Sequence, residues 1–246
     1  MDLWLLGGAL FFGPATVAEG EVTLERLAAE HGSSPVAEAA VLRGLAAVRG
    51  QQGRFGEARE LLDRVRYVVE DRGLVQSGAG IGWISGSVEM LAGDPEAAER
   101  ELRESLETLR RLGMAGRGAS LALMLARVLA AQSRDDDAEQ VIAEWMDSAA
   151  APGAWADWAF TRPAIEGRAL AHRGRIEEAE RLVRSAVAAA ERTDLLNWRG
   201  DILLDLAHVL EVAGRPDEAR TAVENAVELY VRKGNVVSEA TARALL

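Results

Sequence analysis

Residues suited to chemistry are scattered along this chain rather than gathered in one motif. The segment 78–82 reads GAGIG and has the glycine content of a phosphate-binding loop. A dinucleotide fingerprint needs a strand before it and a third glycine three residues after the second, where this chain has Trp83. The segment also falls where a helix is expected. We therefore interpret its glycines as allowing a close helix approach or as weakening that helix.

Metal binding and nucleophilic catalysis have equally little support. The acidic run at 135–137 falls at an expected helix start, where carboxylates complement the helix dipole. Ser85 and Ser87 have no histidine near them in sequence, and the chain has no cysteine. The histidines are far apart and lack the spacing of metal ligands: His31, His172 and His208. We expect no metal, no cofactor and no enzymatic activity.

Residues that could contact a partner occur at positions that vary along the chain. The candidates are Arg43, Trp83, Ser87, Arg127, Arg168 and His208. In a chain of net charge −11, a row of basic residues indicates an acidic partner or an anionic ligand. Solvation of an exposed helix face, or ion pairing with nearby glutamates, is the favoured explanation of the same arginines. Trp83 falls on the predicted wall of the groove, where its side chain could either anchor a ligand or pack against neighbouring helices.

The elements that hold these residues recur about every forty residues. Five turns end in an alanine, and the closing alanines are 40, 40, 41 and 40 residues apart. They are Ala58, Ala98, Ala138, Ala179 and Ala219, and one more step back gives Ala18. Twelve residues before each lies a second small residue: Ala46, Gly86, Ala126, Gly167 and Ala207. A fixed period predicts stacked copies of one unit, and small residues in both columns let two helices pack closely.

The segment 74–112 shows how one unit is built. Asp94 is an N-cap and Pro95 takes the first helical position, where its missing N–H costs nothing. Apolar residues then recur at intervals of three and four until Gly113, which is typical of a helix end. Each unit is thus predicted to be a helix–turn–helix. Pro163 falls inside the first helix of its unit and is expected to kink it.

A small residue followed twelve positions later by alanine, within a helix–turn–helix, resembles the tetratricopeptide repeat. The unit here is longer, 40 residues instead of 34, and mostly lacks the aromatic near the first helix start. Such long repeats resemble the C-terminal regions of actinobacterial signalling proteins that carry a cyclase or DNA-binding domain and an ATPase module. The resemblance implies an all-α right-handed solenoid whose first helices line a concave groove, but none of that family's catalytic motifs is present here.

Six units fit the sequence as one repeat domain, 1–246. Their approximate bounds are 1–32, 34–72, 74–112, 114–150, 154–192 and 194–232, with a solvating cap at 235–246. The period slips by one at 149–154, which we interpret as a turn rather than a domain boundary. Trp158 and Trp198 lie 40 residues apart, and packing at the helix starts is favoured over groove anchoring; Trp155 is expected in the core.

The first apolar segment, LWLLGGALFF at 3–12, is too short to span a bilayer and is expected to begin the first unit, or to be an internal helix of a longer protein. The acidic charge argues against binding duplex nucleic acid. We expect a cytoplasmic scaffold for a protein or peptide, or for other domains of a parent protein. Effector sensing and homodimerisation remain open, and no membrane partner is expected.

Overall fold

The computed structural model describes residues 3–31, 34–150 and 156–246, and within these ranges the chain forms helices and no strands. The α-helices in chain order are α1 (Leu3–Phe12), α2 (Val17–His31), α3 (Pro35–Gln51), α4 (Phe55–Asp71), α5 (Val75–Gly78), α6 (Ile81–Leu91), α7 (Pro95–Arg111), α8 (Ala115–Ala131), α9 (Asp135–Trp145), α10 (Thr161–His172), α11 (Ile176–Ala190), α12 (Leu196–Val212), α13 (Pro216–Lys233) and α14 (Val236–Arg243). Two 3₁₀ turns, Met146–Ala150 and Ala156–Ala159, come between α9 and α10. The predicted all-α repeat solenoid is confirmed. Among the described residues no helix is both long and apolar enough to cross a membrane.

From α3 onward, the two helices of each pair are joined by a tight turn that contains a residue in the left-handed conformation. After α6, Gly93 has φ 76°, and its N–H and that of Asp94 donate to the carbonyls of Met90 and Glu89. These bonds satisfy carbonyls that the helix end would leave unpaired. Ser133 adopts φ 59° at the equivalent turn after α8, so the geometry is kept even without glycine. The conserved geometry of these turns explains why the turn sequence that ends in alanine recurs in each unit.

The two small-residue columns lie where the helices of a pair touch. From the second unit onward, the members of both columns are buried. A Cβ added to Gly86 would lie 2.8 Å from Cγ of Leu102. One added to Gly167 would lie 2.4 Å from Cγ2 of Val183 and 3.1 Å from the carbonyl oxygen of Ala179. There is therefore no room for a larger side chain at these two positions.

Replacing Gly167 with alanine is expected to lower the free energy of unfolding by about 1–3 kcal/mol, because the backbone of α11 must move to admit the methyl group. Gly56 of α4 is the matched control, since a Cβ there meets nothing within 4 Å. Gly56→Ala is expected to be neutral or to stabilise by up to about 1 kcal/mol. Urea unfolding followed by circular dichroism measures both. Equal midpoints for the two variants would contradict the close-packing account.

Ala18 is not the closing alanine of the first unit, and this prediction is wrong. In the later units the closing alanine is the fourth residue of the second helix. The fourth residue of α2 is Gly20, which is buried, whereas Ala18 is exposed. The reason is a capping box: the Thr16 hydroxyl accepts from the N–H of Glu19 (3.2 Å), and the Glu19 carboxylate accepts from the N–H of Thr16 (2.8 Å). This cap starts α2 two residues later than a 40-residue step predicts.

The glycine segment at 78–82 interrupts the first helix of the third unit, between the end of α5 and the start of α6. A Cβ on Gly82 would lie 2.2 Å from Oγ of Ser105, and one on Gly78 would lie 2.5 Å from Cγ1 of Val69. The glycines therefore both break the helix and admit close neighbours, as the sequence indicated.

The first helix of the fifth unit is interrupted just before Pro163, in line with the disruption expected there: a 3₁₀ turn at Ala156–Ala159 is followed by α10. α10 begins at Thr161, so Pro163 lies in its first turn, where no N–H has to find an intrahelical partner. The turn expected at 149–154 lies mostly outside the described residues. Trp155, which was expected in the core, lies outside them as well.

The first helices of the pairs pack side by side, and α1 also reaches α12, so that the inner row closes on itself. The ammonium group of Lys233, at the end of α13, donates to the carbonyls of Leu10 (2.5 Å), Gly13 (2.8 Å) and Ala15 (2.6 Å). Asn197 Nδ2 donates to the carbonyl of Phe11 at 2.7 Å. α14, expected as a solvating cap, packs on α13 and also contacts α3.

Candidate functional site

A cavity of about 400 Å³ lies where the inner helices face one another. Most of its wall is apolar, with side chains from α1, α6, α8, α10, α12 and α14: Phe12, Met90, Leu123, Met124, Ile165, Leu204 and Val237. A smaller number of charged and polar side chains also line the cavity, among them Arg127, Arg168 and Asp205. An apolar pocket with a few convergent polar groups is the usual form of a ligand site.

Two arginines share one aspartate on the cavity wall. Nη1 of Arg127 lies 3.0 Å from Oδ2 of Asp205, and Nη1 of Arg168 donates to Oδ1 of the same residue at 3.2 Å. Asp205 is 3% exposed, so the carboxylate depends on these two neighbours for compensation of its charge. The three residues come from α8, α10 and α12, and they tie three successive units together.

Two further carboxyl groups of the cavity have raised pKa values. Burial raises the pKa of Asp157 to about 7, against the opposing effect of the hydrogen bond from the Ser120 hydroxyl at 3.2 Å. Burial also raises the pKa of Asp201, although Arg127 and the hydroxyl of Tyr230, which donates at 2.6 Å, favour its charged form. Asp157 is therefore partly protonated near neutral pH.

Aromatic rings form one end of the site. Trp198 lies at the centre, with ring centroids 4.5 Å from Phe12, 5.3 Å from Phe160 and 6.5 Å from Trp83. Phe12 belongs to α1 and Trp198 to α12, so this cluster joins the first unit to the last full one. These distances are those of stabilising aromatic pairs.

A chain of hydrogen bonds joins Asp135, His172 and His208. Nδ1 of His172 lies 2.6 Å from Oδ2 of Asp135, and its Nε2 lies 2.9 Å from Nε2 of His208. If the Nδ1–H of His172 points at the carboxylate, then its Nε2 accepts the proton of His208. Burial lowers the pKa of His208, and the positive charge of Arg168 adds to this effect. The neutral form of His208 is thus the favoured one.

The family model of the tetratricopeptide repeat matches residues 39–64, 164–185 and 201–225. These segments coincide with the helix pairs α3–α4, α10–α11 and α12–α13. The chain is a tetratricopeptide-like repeat region. No curated protein sequence matches the chain.

Solved structures share the fold of this tetratricopeptide-like region at low sequence identity. NprR in complex with its cognate peptide NprX is 15% identical, with a TM-score of 0.69 over 99% of this chain and 70% of that one. BtubC from P. vanneervenii is 15% identical, with a TM-score of 0.58 over 88% of this chain and 90% of that one. The apo form of the quorum sensor NprR from B. thuringiensis is 15% identical, with a TM-score of 0.54 over 87% and 60%. At this identity the likeness shows the fold alone.

Within the repeat region, the structure brings together three of the six candidate residues. Ser87, Arg127 and Arg168 all line the cavity. His208 lies next to it in the histidine pair, and Trp83 packs against the aromatic cluster. Arg43 is 7% exposed, lies in α3 and does not line the cavity. Arginines at the same step of successive first helices thus face one space, because stacked repeats present equivalent positions to the same side.

Sequence reasoning missed Asp205, Thr161 and Asp201, although the repeat contains a signal for each. Asp205 takes the position two residues before the small column, where the other units have Gly44, Ile84, Met124 and Ile165. Six residues before that column, the units read Ala40, Gly80, Ser120, Thr161 and Asp201, so polarity increases along the chain. Polar residues in otherwise apolar columns would have indicated the site.

Proposed function

We propose that this chain is a non-catalytic scaffold that binds a peptide or protein segment in its central cavity. The observation that carries the proposal is an apolar cavity of about 400 Å³ on whose wall Arg127, Arg168 and Asp205 converge. Apolar walls accept side chains, and the charged groups can orient a polar backbone or terminus. The complex of NprR with the peptide NprX supports the proposal, since that protein has a related fold.

The proposed setting is a bacterial signalling or regulatory protein in the cytoplasm. The bound segment then comes either from a separate protein or from another domain of a parent chain. The net charge of −11 disfavours duplex nucleic acid as the partner. A homodimer is compatible with this role, and light scattering measures it directly.

A pool of degenerate hexapeptides with free ends, incubated with the 246-residue chain and separated by size exclusion, tests the function. Mass spectrometry of the protein fraction identifies retained peptides. Met124→Trp should fill the cavity and abolish retention, whereas Tyr67→Ala changes an exposed side chain of α4 and should leave it intact. Circular dichroism verifies that both variants fold. Retention that is absent, or unaffected by Met124→Trp, would count against a peptide site in the cavity.

A second candidate function is the sensing of a small effector that controls an attached ATPase, cyclase or DNA-binding domain. The raised pKa values of Asp157 and Asp201 favour it, because perturbed carboxyl groups in a cavity are common at ligand sites. Thermal unfolding across a metabolite collection distinguishes the two functions. A compound that raises the midpoint in the wild type but not in Met124→Trp would support the effector, and a uniform lack of response would exclude the compounds tested.

A further inference from the structure

Two histidines from successive units meet ring to ring. Nε2 of His172 in α10 lies 2.9 Å from Nε2 of His208 in α12, and the two residues are 36 positions apart in sequence. That separation hides the pair from sequence motifs, in which metal-ligating histidines lie only a few positions apart. The hydrogen bond between the two nitrogens uses one proton, so one ring already presents an unprotonated Nε2 to the other.

The spacing of the two rings is close to the spacing that a single metal ion imposes. Two imidazole nitrogens on a tetrahedral zinc ion lie about 2.0–2.1 Å from the metal, which places the ring centroids about 5 Å apart. The centroids of His172 and His208 are already 5.0 Å apart, with the ring planes inclined by 83°. The rings therefore need to reorient, but not to separate, for both Nε2 lone pairs to point at one ion.

Asp135, the first residue of α9, holds His172 in the form that a metal ligand needs. Its Oδ2 lies 2.6 Å from Nδ1 of His172. Ligating histidines almost always donate their other ring N–H to a carboxylate, a carbonyl or water, which leaves the metal-binding nitrogen unprotonated. The second oxygen of Asp135, Oδ1, is buried and has no hydrogen-bond partner in the described part of the chain. This oxygen has the capacity to accept a hydrogen bond from a water on the ion.

The surroundings of the pair favour neutral imidazoles and admit solvent. Burial lowers the pKa of His208, and a ligand histidine must be unprotonated, so protons compete little for it at neutral pH. The positive charge of Arg168 opposes a further cation, but Asp205 lies 3.2 Å from that guanidinium and Asp135 adds a negative charge beside His172. The side chain of His172 is 30% exposed, so water can reach the pair.

We propose that His172 and His208 together bind one divalent transition-metal ion through their Nε2 atoms, with water completing the coordination. Among the described residues no group of three or more histidine, cysteine or carboxylate side chains is placed to hold a metal ion, so the site has two protein ligands and stays open to solvent. Imidazole suits zinc, nickel and copper, whereas magnesium and calcium prefer oxygen ligands. The ion joins α10 to α12, and the proposal is independent of what the cavity binds.

Isothermal titration of the untagged 246-residue chain with zinc chloride, in a buffer that does not bind metals, tests the proposal. The variants are His172→Gln, His208→Gln and Asp135→Asn. The matched control is His31→Gln, because His31 is the third histidine of the chain and lies at the end of α2. Each titration is repeated in excess magnesium chloride, which occupies carboxylate sites on the acidic surface. Circular dichroism verifies that every variant folds.

One zinc ion should bind per wild-type chain, with or without magnesium. Asp135→Asn should weaken binding about tenfold, since carboxylates that orient a ligand have effects of about 10–100-fold. His172→Gln and His208→Gln each remove a ligand and should weaken binding at least as much, whereas His31→Gln should not. Absence of zinc binding would overturn the proposal. Binding that survives both ligand variants, or that magnesium abolishes, would also overturn it and would assign the zinc to surface carboxylates.

Proton NMR of the wild type provides a second readout that needs no folded variant. The chain has three histidines, and zinc should shift the ring signals of two of them while leaving the third unchanged. The signal missing from His31→Gln identifies the unshifted residue. A shift of His31, or of none of the three, would contradict binding by the pair.

Discussion

Replacing Lys233 with methionine is expected to lower the free energy of unfolding by about 2–4 kcal/mol and to release α1 from its contacts with α12. Lys233 is 0% exposed, and its ammonium group donates to three carbonyls. One belongs to Leu10 in the last turn of α1, and the other two belong to Gly13 and Ala15 in the loop after α1. Burial lowers the pKa of Lys233 to about 8, so the group is still mostly protonated at neutral pH. Methionine has a similar volume but leaves all three carbonyls without this donor.

Hydrogen exchange measured by mass spectrometry separates local release from global loss of stability. In Lys233→Met, peptides from α1 should lose protection before those from α7 and α8, because α1 depends most on the closing contacts. The matched control is Arg232→Met, the preceding residue of α13, whose side chain is exposed. An α1 that keeps its wild-type protection in Lys233→Met would show that the aromatic cluster and the bond from Asn197 to Phe11 are enough to close the inner row.

The repeat architecture was predictable because its signals are local. Asp94 and Pro95 start α7 where the sequence places them, and Asp94 Oδ1 accepts from the N–H of Ala97 at 2.8 Å. Arg127 and Arg168 could be placed on one surface because equivalent positions of stacked units face the same way. Such inferences need only the spacing of residues within about forty positions.

Closure of the inner row was not predictable, because it depends on contacts between residues about two hundred positions apart. Lys233 followed by Gly234 is an ordinary helix-end pattern, and nothing in it indicates that the ammonium group is buried. Asn197 likewise lies in an ordinary helix start, yet its side chain bonds Phe11 and Gln51. The 40-residue period gives the order of the units but not the angle between them, and that angle decides whether the ends meet.

Replacing Asp157 with asparagine is expected to stabilise the protein at high pH and to remove part of its pH dependence. Burial raises the pKa of Asp157 from 3.8 in the unfolded chain to about 7 in the folded one, so the folded state binds more protons between these values. Its contribution to stability is full below about pH 4, falls as the pH rises, and is lost above about pH 7. This difference in pKa corresponds to on the order of 4 kcal/mol.

Asparagine resembles the protonated acid in shape and can keep a hydrogen bond with the Ser120 hydroxyl without carrying a charge. The free energy of unfolding, measured in urea at roughly pH 5 and pH 8.5, should favour Asp157→Asn over the wild type by about 2–3 kcal/mol more at the higher pH than at the lower. Burial lowers the pKa of His208, whose contribution is full above pH 6.5 and falls below it, and subtracting the wild type removes this opposite slope. Asp147→Asn, at an exposed position, is the control. A constant difference at both pH values would mean that the carboxyl group of Asp157 stays charged in the folded protein.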